Sequence, residues 1–66
     1  MRVNKSKLEL AMSRACMNGK DAADAAQIPR ATFNNAITGR SIRPATLGKI
    51  ARALGVDVEE LIDRED

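Results

Sequence analysis

Hydrophobic residues recur every three or four positions along this chain, which is the spacing of helices that pack on one face. The first run predicts a helix over residues 6–17, ended by the turn signal Asn18-Gly19. The apolar face of this helix consists of Leu8, Ala11, Met12, Ala15 and Cys16, and the cysteine is expected to be a small buried hydrophobe. A run of alanines then predicts a second helix over residues 20–27, with Asn18 as its N-cap.

Proline and glycine mark two further helices. Pro29 can open a helix but cannot lie inside one, so a third helix is predicted over residues 30–38, with Gly39 just after its end. Pro44 opens a fourth helix in the same way, and Gly55 ends it. The apolar face of the fourth helix consists of Leu47, Ile50, Ala51 and Leu54.

The last part of the chain predicts a fifth, short helix. Asp57 and Glu60 have the spacing of an acidic capping box, and the apolar face consists of Val58, Leu61 and Ile62. Residues 64–66 are expected to fray. The whole pattern therefore predicts an all-α fold, a compact five-helix domain spanning residues 1–66 with an ordered core over residues 6–62.

Charge is distributed unevenly along the chain, although the formal net charge is only +2. No acid lies between Asp24 and Asp57, a stretch that contains four arginines and one lysine, whereas residues 57–66 carry six acids. The middle of the chain is therefore suited to a polyanionic partner, and its end would repel one. The acidic end either improves solubility or keeps that surface off nucleic acid, and the pattern leaves both interpretations open.

The composition argues against several classes of protein. There is no histidine, no glycine-rich phosphate loop and no cluster of metal ligands, so we expect neither catalysis nor a metal or cofactor. The single cysteine cannot form an internal disulfide, which favours a reducing compartment. No apolar stretch is long enough to span a bilayer and no signal peptide is evident, so a cytoplasmic protein is expected.

The third predicted helix has one apolar and one polar face. Phe33, Ala36 and Ile37 share the apolar face, and the opposite side consists of Arg30, Ala31, Asn34, Asn35 and Thr38. Two short helices separated by about three residues, with a polar outer face on the second, are typical of a helix-turn-helix motif. In that motif the first helix braces the second, which enters the major groove of DNA.

The chain as a whole resembles the lambdoid phage repressor and Cro family, also called the XRE family. The resemblance runs from Leu8 to Ile62 and is most specific in the second half, where Gly39, the five-residue step to Pro44 and the sequence TLGKIARALGVDVEELI match the family pattern. It implies that Arg30, Ala31, Asn34 and Asn35 face the bases. It also implies phosphate contacts by Asn18 and Gly19 at the start of helix two, and by Arg40 and Arg43 after helix three.

The chemistry of these side chains agrees with the resemblance. Arginine binds guanine with two hydrogen bonds, asparagine binds adenine in the same way, and a methyl group of Ala31 or Thr32 can meet a thymine methyl. The predicted base-reading residues are Arg30, Ala31, Thr32, Asn34 and Asn35, of which Arg30 and Asn35 are the principal candidates. The predicted phosphate-contacting residues are Asn18, Gly19, Lys20, Thr38, Arg40 and Arg43.

This sequence departs from the family pattern at several positions. Gln27 replaces a frequent turn glycine and is expected either to bear backbone strain or to bend the turn differently. Gly19 stands where many members have glutamine, and Ala22 where many have leucine. Some phage repressors pair an arginine of helix one with a glutamate of helix three, and those positions here are apolar, Met12 and Ile37. Such a replacement is often neutral or stabilising.

The resemblance implies a sequence-specific transcriptional regulator of double-stranded DNA, a repressor that binds a two-fold operator as a homodimer. Relatives dimerise in the region of Val58 and Glu59, which we therefore expect to form a dimer contact. The alternative is a protein-binding module with the same fold, such as an antitoxin or an antirepressor, because a fold alone does not specify function.

Overall fold

Four α-helices and one 3₁₀ turn form the fold in a computed structural model, which describes residues 1–63. In chain order they are α1 (Lys5–Arg14), α2 (Gly19–Ala26), α3 (Arg30–Ile37), α4 (Pro44–Leu54) and the 3₁₀ turn Val58–Glu60. Helix α2 makes its most extensive contacts with α4 and α3, while α1 packs against α3, α4 and the 3₁₀ turn. There is no strand within residues 1–63, so the predicted all-α fold is confirmed. The predicted fraying of residues 64–66 lies outside the described residues.

Helix α1 ends earlier than its hydrophobic pattern predicts. The predicted end at Met17 is wrong, because Cys16 adopts a left-handed backbone with φ of 57° and the helix ends at Arg14. The amide of Met17 donates to the Met12 carbonyl (3.0 Å), a bond that often closes a helix when the residue after its end is left-handed. The prediction that Cys16 is buried is also wrong: the turn leaves its side chain exposed, while Met17 packs against the core.

The predicted fifth α-helix is a single 3₁₀ turn. Its capping box is present as predicted, with Asp57 accepting from the Glu59 amide (3.0 Å) and Glu60 accepting from the Asp57 amide (3.0 Å). The Leu61 amide donates to the Val58 carbonyl (3.0 Å), three residues back, as in a 3₁₀ turn. The Leu61 carbonyl accepts from the Asn4 amide (2.8 Å), and the Ile62 carbonyl accepts from Lys7 Nζ (3.0 Å). These contacts join the residues after the 3₁₀ turn to the start of α1.

Asp63 joins this contact between the two ends of the fold. Its carboxylate accepts from the Asn4 side-chain amide (2.9 and 3.1 Å) and lies 3.2 Å from Lys7 Nζ. Both groups hold the pKa of Asp63 below its ordinary value, and the hydrogen bond from Asn4 has a larger effect than that from the Lys7 ammonium. The carboxylate is thus ionised at neutral pH and oriented by two residues of the α1 start.

The core consists of aliphatic side chains around a single aromatic ring. Its buried members are Val3, Leu8, Ala11, Ala22, Ala23, Ala26, Phe33, Ala36, Ile42, Leu47, Ile50, Ala51, Leu54 and Leu61. No polar or charged residue is buried within residues 1–63. Because four alanines of this list come from α2 and α3, these two helices approach closely, and Phe33 fills the space between them and the rest of the core.

Candidate nucleic-acid interface

Helices α2 and α3 are joined by a tight turn at Gln27. This residue has φ of 58° and ψ of 44°, a left-handed conformation, which is the first of the two alternatives that the sequence leaves open. Its amide donates to the Asp24 carbonyl (3.1 Å), and the next amide, of Ile28, donates to the Ala23 carbonyl (3.1 Å). These two bonds satisfy two of the last four carbonyls of α2 and turn the chain directly into α3. The strain at Gln27 therefore belongs to the element that sets the angle between the two helices.

Gln27→Gly is expected to raise the free energy of unfolding by about 0.5–1 kcal/mol, because glycine adopts the left-handed conformation without the Cβ penalty. The control is Ala25→Gly, an exposed residue of α2 with helical backbone, where glycine should lower stability by about 0.5–1 kcal/mol. Urea titrations followed by circular dichroism measure both changes. A loss of stability in both variants would contradict the assignment of strain to Gln27.

Helix α3 is anchored by its apolar face and presents its polar face to solvent. Phe33 is 1% exposed and Ala36 is fully buried, whereas Arg30, Asn34 and Asn35 are all exposed. Ala31 is also exposed, and Thr32 is half-buried at the edge of this face. Within residues 1–63, no hydrogen bond involves the guanidinium group of Arg30 or the side-chain amides of Asn34 and Asn35. The hydrogen-bonding groups of this face are thus available to an external partner.

The start of α2 lies beside α3. The side chain of Asn18 caps α2 by accepting from the Asp21 amide (2.8 Å), as predicted, and its own amide group donates to no residue within 1–63. A Cβ atom at Gly19 would lie 3.7 Å from Phe33 Cε1, so the helix start rests on the ring that anchors α3. Lys20 follows and is exposed. The structure therefore brings the three predicted phosphate-contacting residues of α2 together at one helix end.

The loop from α3 to α4 holds the other predicted phosphate contacts. Gly39 has φ of 82°, and the Arg40 amide donates to the Asn35 carbonyl (3.0 Å), which ends α3 in a reversed turn. Arg40 and Arg43 are exposed, and the buried side chain of Ile42 fixes the loop between them. Both guanidinium groups are thereby held on a short, anchored segment.

Thr38 differs from the other predicted phosphate contacts. Its hydroxyl donates within α3, to the carbonyl of Asn34 at 2.9 Å or that of Asn35 at 3.2 Å. A hydroxyl has one hydrogen to donate, so a contact with a phosphate oxygen requires this internal bond to break. The side chain of Thr38 therefore serves first to close the helix.

A shallow open groove of about 330 Å³ separates α3 from the start of α4. It is lined by Thr32, Asn35, Ser41, Ile42, Arg43 and Thr46. The groove brings two predicted base-reading residues next to a predicted phosphate-contacting arginine. The hydroxyls of Ser41 and Thr46 at this groove were missed by the sequence interpretation. The usable signal was Pro44, which fixes the start of α4 and so places Thr46 in its first turn.

Comparison with known families identifies the domain. The family model of the Cro/C1-type helix-turn-helix DNA-binding domain matches residues 7–66. This chain belongs to the Cro/C1-type helix-turn-helix family. Searches of curated proteins and of solved structures found no match. Membership of the family supports a DNA-binding regulator, and it confirms the resemblance drawn from the sequence.

Residues at which this Cro/C1-type domain departs from the family pattern pack as the sequence suggested. Ala22 is 1% exposed in the core, and Met12 and Ile37 are half-buried apolar residues against it. The two positions that carry an ion pair in some relatives are thus absorbed into hydrophobic packing. Within residues 1–63 no buried side-chain polar atom lacks a hydrogen-bond partner, so the exchange leaves no unsatisfied charge in the interior.

The residues predicted to form a dimer contact lie after α4 in this Cro/C1-type domain. Val58 is half-buried and Glu59 exposed, both in the 3₁₀ turn. The part of the chain that the structure describes contains no group of three or more His, Cys, Asp or Glu side chains able to hold a metal ion. None of the helices in residues 1–63 has the length and hydropathy that a membrane crossing requires.

Proposed function

We propose that this protein is a sequence-specific transcriptional regulator, a repressor, that reads the major groove of double-stranded DNA with α3. The observation that carries the proposal is the exposed polar face of α3, whose guanidinium and amide groups have no partner within residues 1–63. Two asparagines and an arginine on one helix face supply the hydrogen-bond pairs that distinguish adenine and guanine from other bases. Family membership supports DNA as the partner.

Base reading is assigned to Arg30 and Asn35 first, with Asn34 beside them and the methyl groups of Ala31 and Thr32 as apolar contacts. Arg30 begins α3, the end of a recognition helix that meets base edges in helix-turn-helix proteins. Asn35 lies five residues further along and lines the groove beside Arg43. A base contact by Asn35 therefore leaves Arg43 next to the phosphates of the same region.

Phosphate contacts are assigned to two segments, one that precedes α3 in the chain and one that follows it. The start of α2 supplies Asn18, Gly19 and Lys20, and the loop supplies Arg40 and Arg43. Thr38 is included only as a contact that requires its internal hydrogen bond to be exchanged. Phosphate contacts from both segments orient the recognition helix. The affinity is sensitive to salt, because lysine and arginine side chains displace counterions from the phosphates.

Repression is proposed because a domain that occupies the major groove at a promoter occludes that promoter. Binding as a homodimer to a two-fold operator is part of the proposal, with Val58 and Glu59 as the dimer contact. A homodimer doubles the number of bases read, and its symmetry is mirrored by the operator. Sedimentation of the protein with and without operator DNA tests this contact, and a monomer under both conditions would contradict it.

Selection from a random pool of duplex DNA tests the function directly. The purified protein is incubated with the pool at moderate salt, and the retained fragments are sequenced. Enrichment of an inverted repeat is expected for a dimeric, sequence-specific regulator. Retention without enrichment would indicate phosphate binding alone, and no retention would favour the protein-binding alternative, an antitoxin or antirepressor.

Asn35→Ala is expected to weaken binding to the selected operator by about 1–3 kcal/mol while leaving random DNA nearly unchanged. The fold should tolerate the change, because the residue is exposed and alanine favours helices. Arg43→Ala provides the contrast: it should weaken all duplexes about equally and reduce the salt dependence. Fluorescence anisotropy on both DNAs measures these effects. An equal loss on operator and random DNA for Asn35→Ala would remove its role in base reading.

A further inference from the structure

The first residues of the chain pair with the loop between α3 and α4. The Ile42 amide donates to the Met1 carbonyl (2.7 Å), and the Met1 amine donates to the Ile42 carbonyl (2.8 Å). These bonds join residues 41 positions apart in the chain. The segment formed by residues 1–4 therefore lies directly beside the loop that holds Arg40 and Arg43.

This segment is anchored on both sides of Arg2. Val3 is 5% exposed and belongs to the core, and the Asn4 amide donates to the Leu61 carbonyl (2.8 Å). Arg2 lies between the buried Val3 and the paired Met1, and it is exposed. Its backbone is thus held in place while its side chain remains in solvent.

Two observations favour an external anion as the partner of Arg2. The salt bridges within residues 1–63 join Lys7 to Asp63 and Arg14 to Glu60, and neither includes Arg2. A shallow depression contains Arg2, Gly39 of the loop and Asp63, but the Asp63 carboxylate already binds the amide of Asn4 and Lys7. The acid that lines this depression is therefore already paired with a lysine of α1.

We propose that Arg2 is a further phosphate-contacting residue, which extends the basic surface formed by Arg40 and Arg43. This inference rests on the proposed function, since the phosphates are those of the bound duplex. Guanidinium groups bind phosphate through two parallel hydrogen bonds. Because the hydrogen bonds of Met1 and Asn4 already order the backbone on both sides, binding orders only the side chain of Arg2.

The test compares Arg2→Gln with Lys5→Gln, an equal change of charge at an exposed residue three positions away, at the start of α1. Affinity for the selected operator and for random duplex is measured by anisotropy between 50 and 200 mM salt. Arg2→Gln is expected to weaken both DNAs alike and to reduce the salt slope by about one. Over this salt range, the affinity of the variant would then change by about 3.5-fold less than that of the original protein. Lys5→Gln should retain the original slope.

Two controls separate this inference from its alternatives. Arg2→Lys keeps the charge and should retain most of the slope, and thermal unfolding of all three variants should match that of the original protein. A slope for Arg2→Gln equal to that of Lys5→Gln, with the original protein binding DNA, would overturn the role of Arg2 alone. Absence of duplex binding by the original protein would overturn the proposed function and this inference with it.

Discussion

Phe33→Ala should remove about 3–5 kcal/mol from the free energy of unfolding. Phe33 is the only aromatic residue of the chain, is 1% exposed, and fills the core beneath α3 and the start of α2. A domain of 66 residues has a total stability of about 3–10 kcal/mol, so the variant should be largely unfolded or close to it. Urea denaturation followed by far-ultraviolet circular dichroism measures the change.

Phe33→Leu is the matched variant, because it keeps an apolar side chain and leaves a smaller cavity. It should lose clearly less stability than Phe33→Ala, and at a temperature where it is folded it should bind DNA. Both predicted contact sets depend on this ring, since it anchors α3 and supports Gly19 at the start of α2. A loss below about 1 kcal/mol for Phe33→Ala would contradict its role as the central support of the interface.

Leu8→Ala should cost about 2–5 kcal/mol, whereas Leu10→Ala should change stability by no more than about 0.5 kcal/mol. The two leucines lie two positions apart in α1, and only their burial differs: Leu8 is 0% exposed and Leu10 is 60% exposed. The helical repeat points Leu8 into the core and Leu10 toward solvent.

Thermal and urea unfolding of the two leucine variants under identical conditions provide the comparison. A large loss of stability in both variants would mean that Leu10 packs against another molecule, such as a second copy in a dimer. In that case the unfolding midpoint would depend on protein concentration. Similar small losses for both variants would contradict the position of α1 in the fold.

The elements that could be predicted from the sequence are those defined by neighbouring residues. The Asn18 cap, Pro44 at the start of α4 and Gly55 at its end act within one helical turn, so their patterns predict the helix ends correctly. The capping box of Asp57 and Glu60 was also correctly predicted for the same reason. The two faces of α3 follow from helical spacing, which requires no knowledge of the rest of the fold.

The errors concern residues at which other hydrogen bonds replace those of an α-helix. The helix expected after Asp57 is a 3₁₀ turn, in which the Leu61 amide donates to the Val58 carbonyl, and the residues that follow it contact Asn4 and Lys7 near the other end of the chain. Cys16 has apolar spacing with Leu8, yet α1 ends before it and leaves it exposed. The spacing of apolar residues does not reveal where other hydrogen bonds replace the helical ones.

Local spacing was therefore sufficient for the number and order of the first four helices, the polar face of α3 and the basic character of residues 25–56. These properties follow from the helical repeat and from charge, which can be counted along the chain. The groove that joins Asn35, Arg43 and Thr46, and the pairing that places Arg2 beside the loop, come from the folded chain. Their residues lie up to 41 positions apart, and only packing of the core brings such residues together.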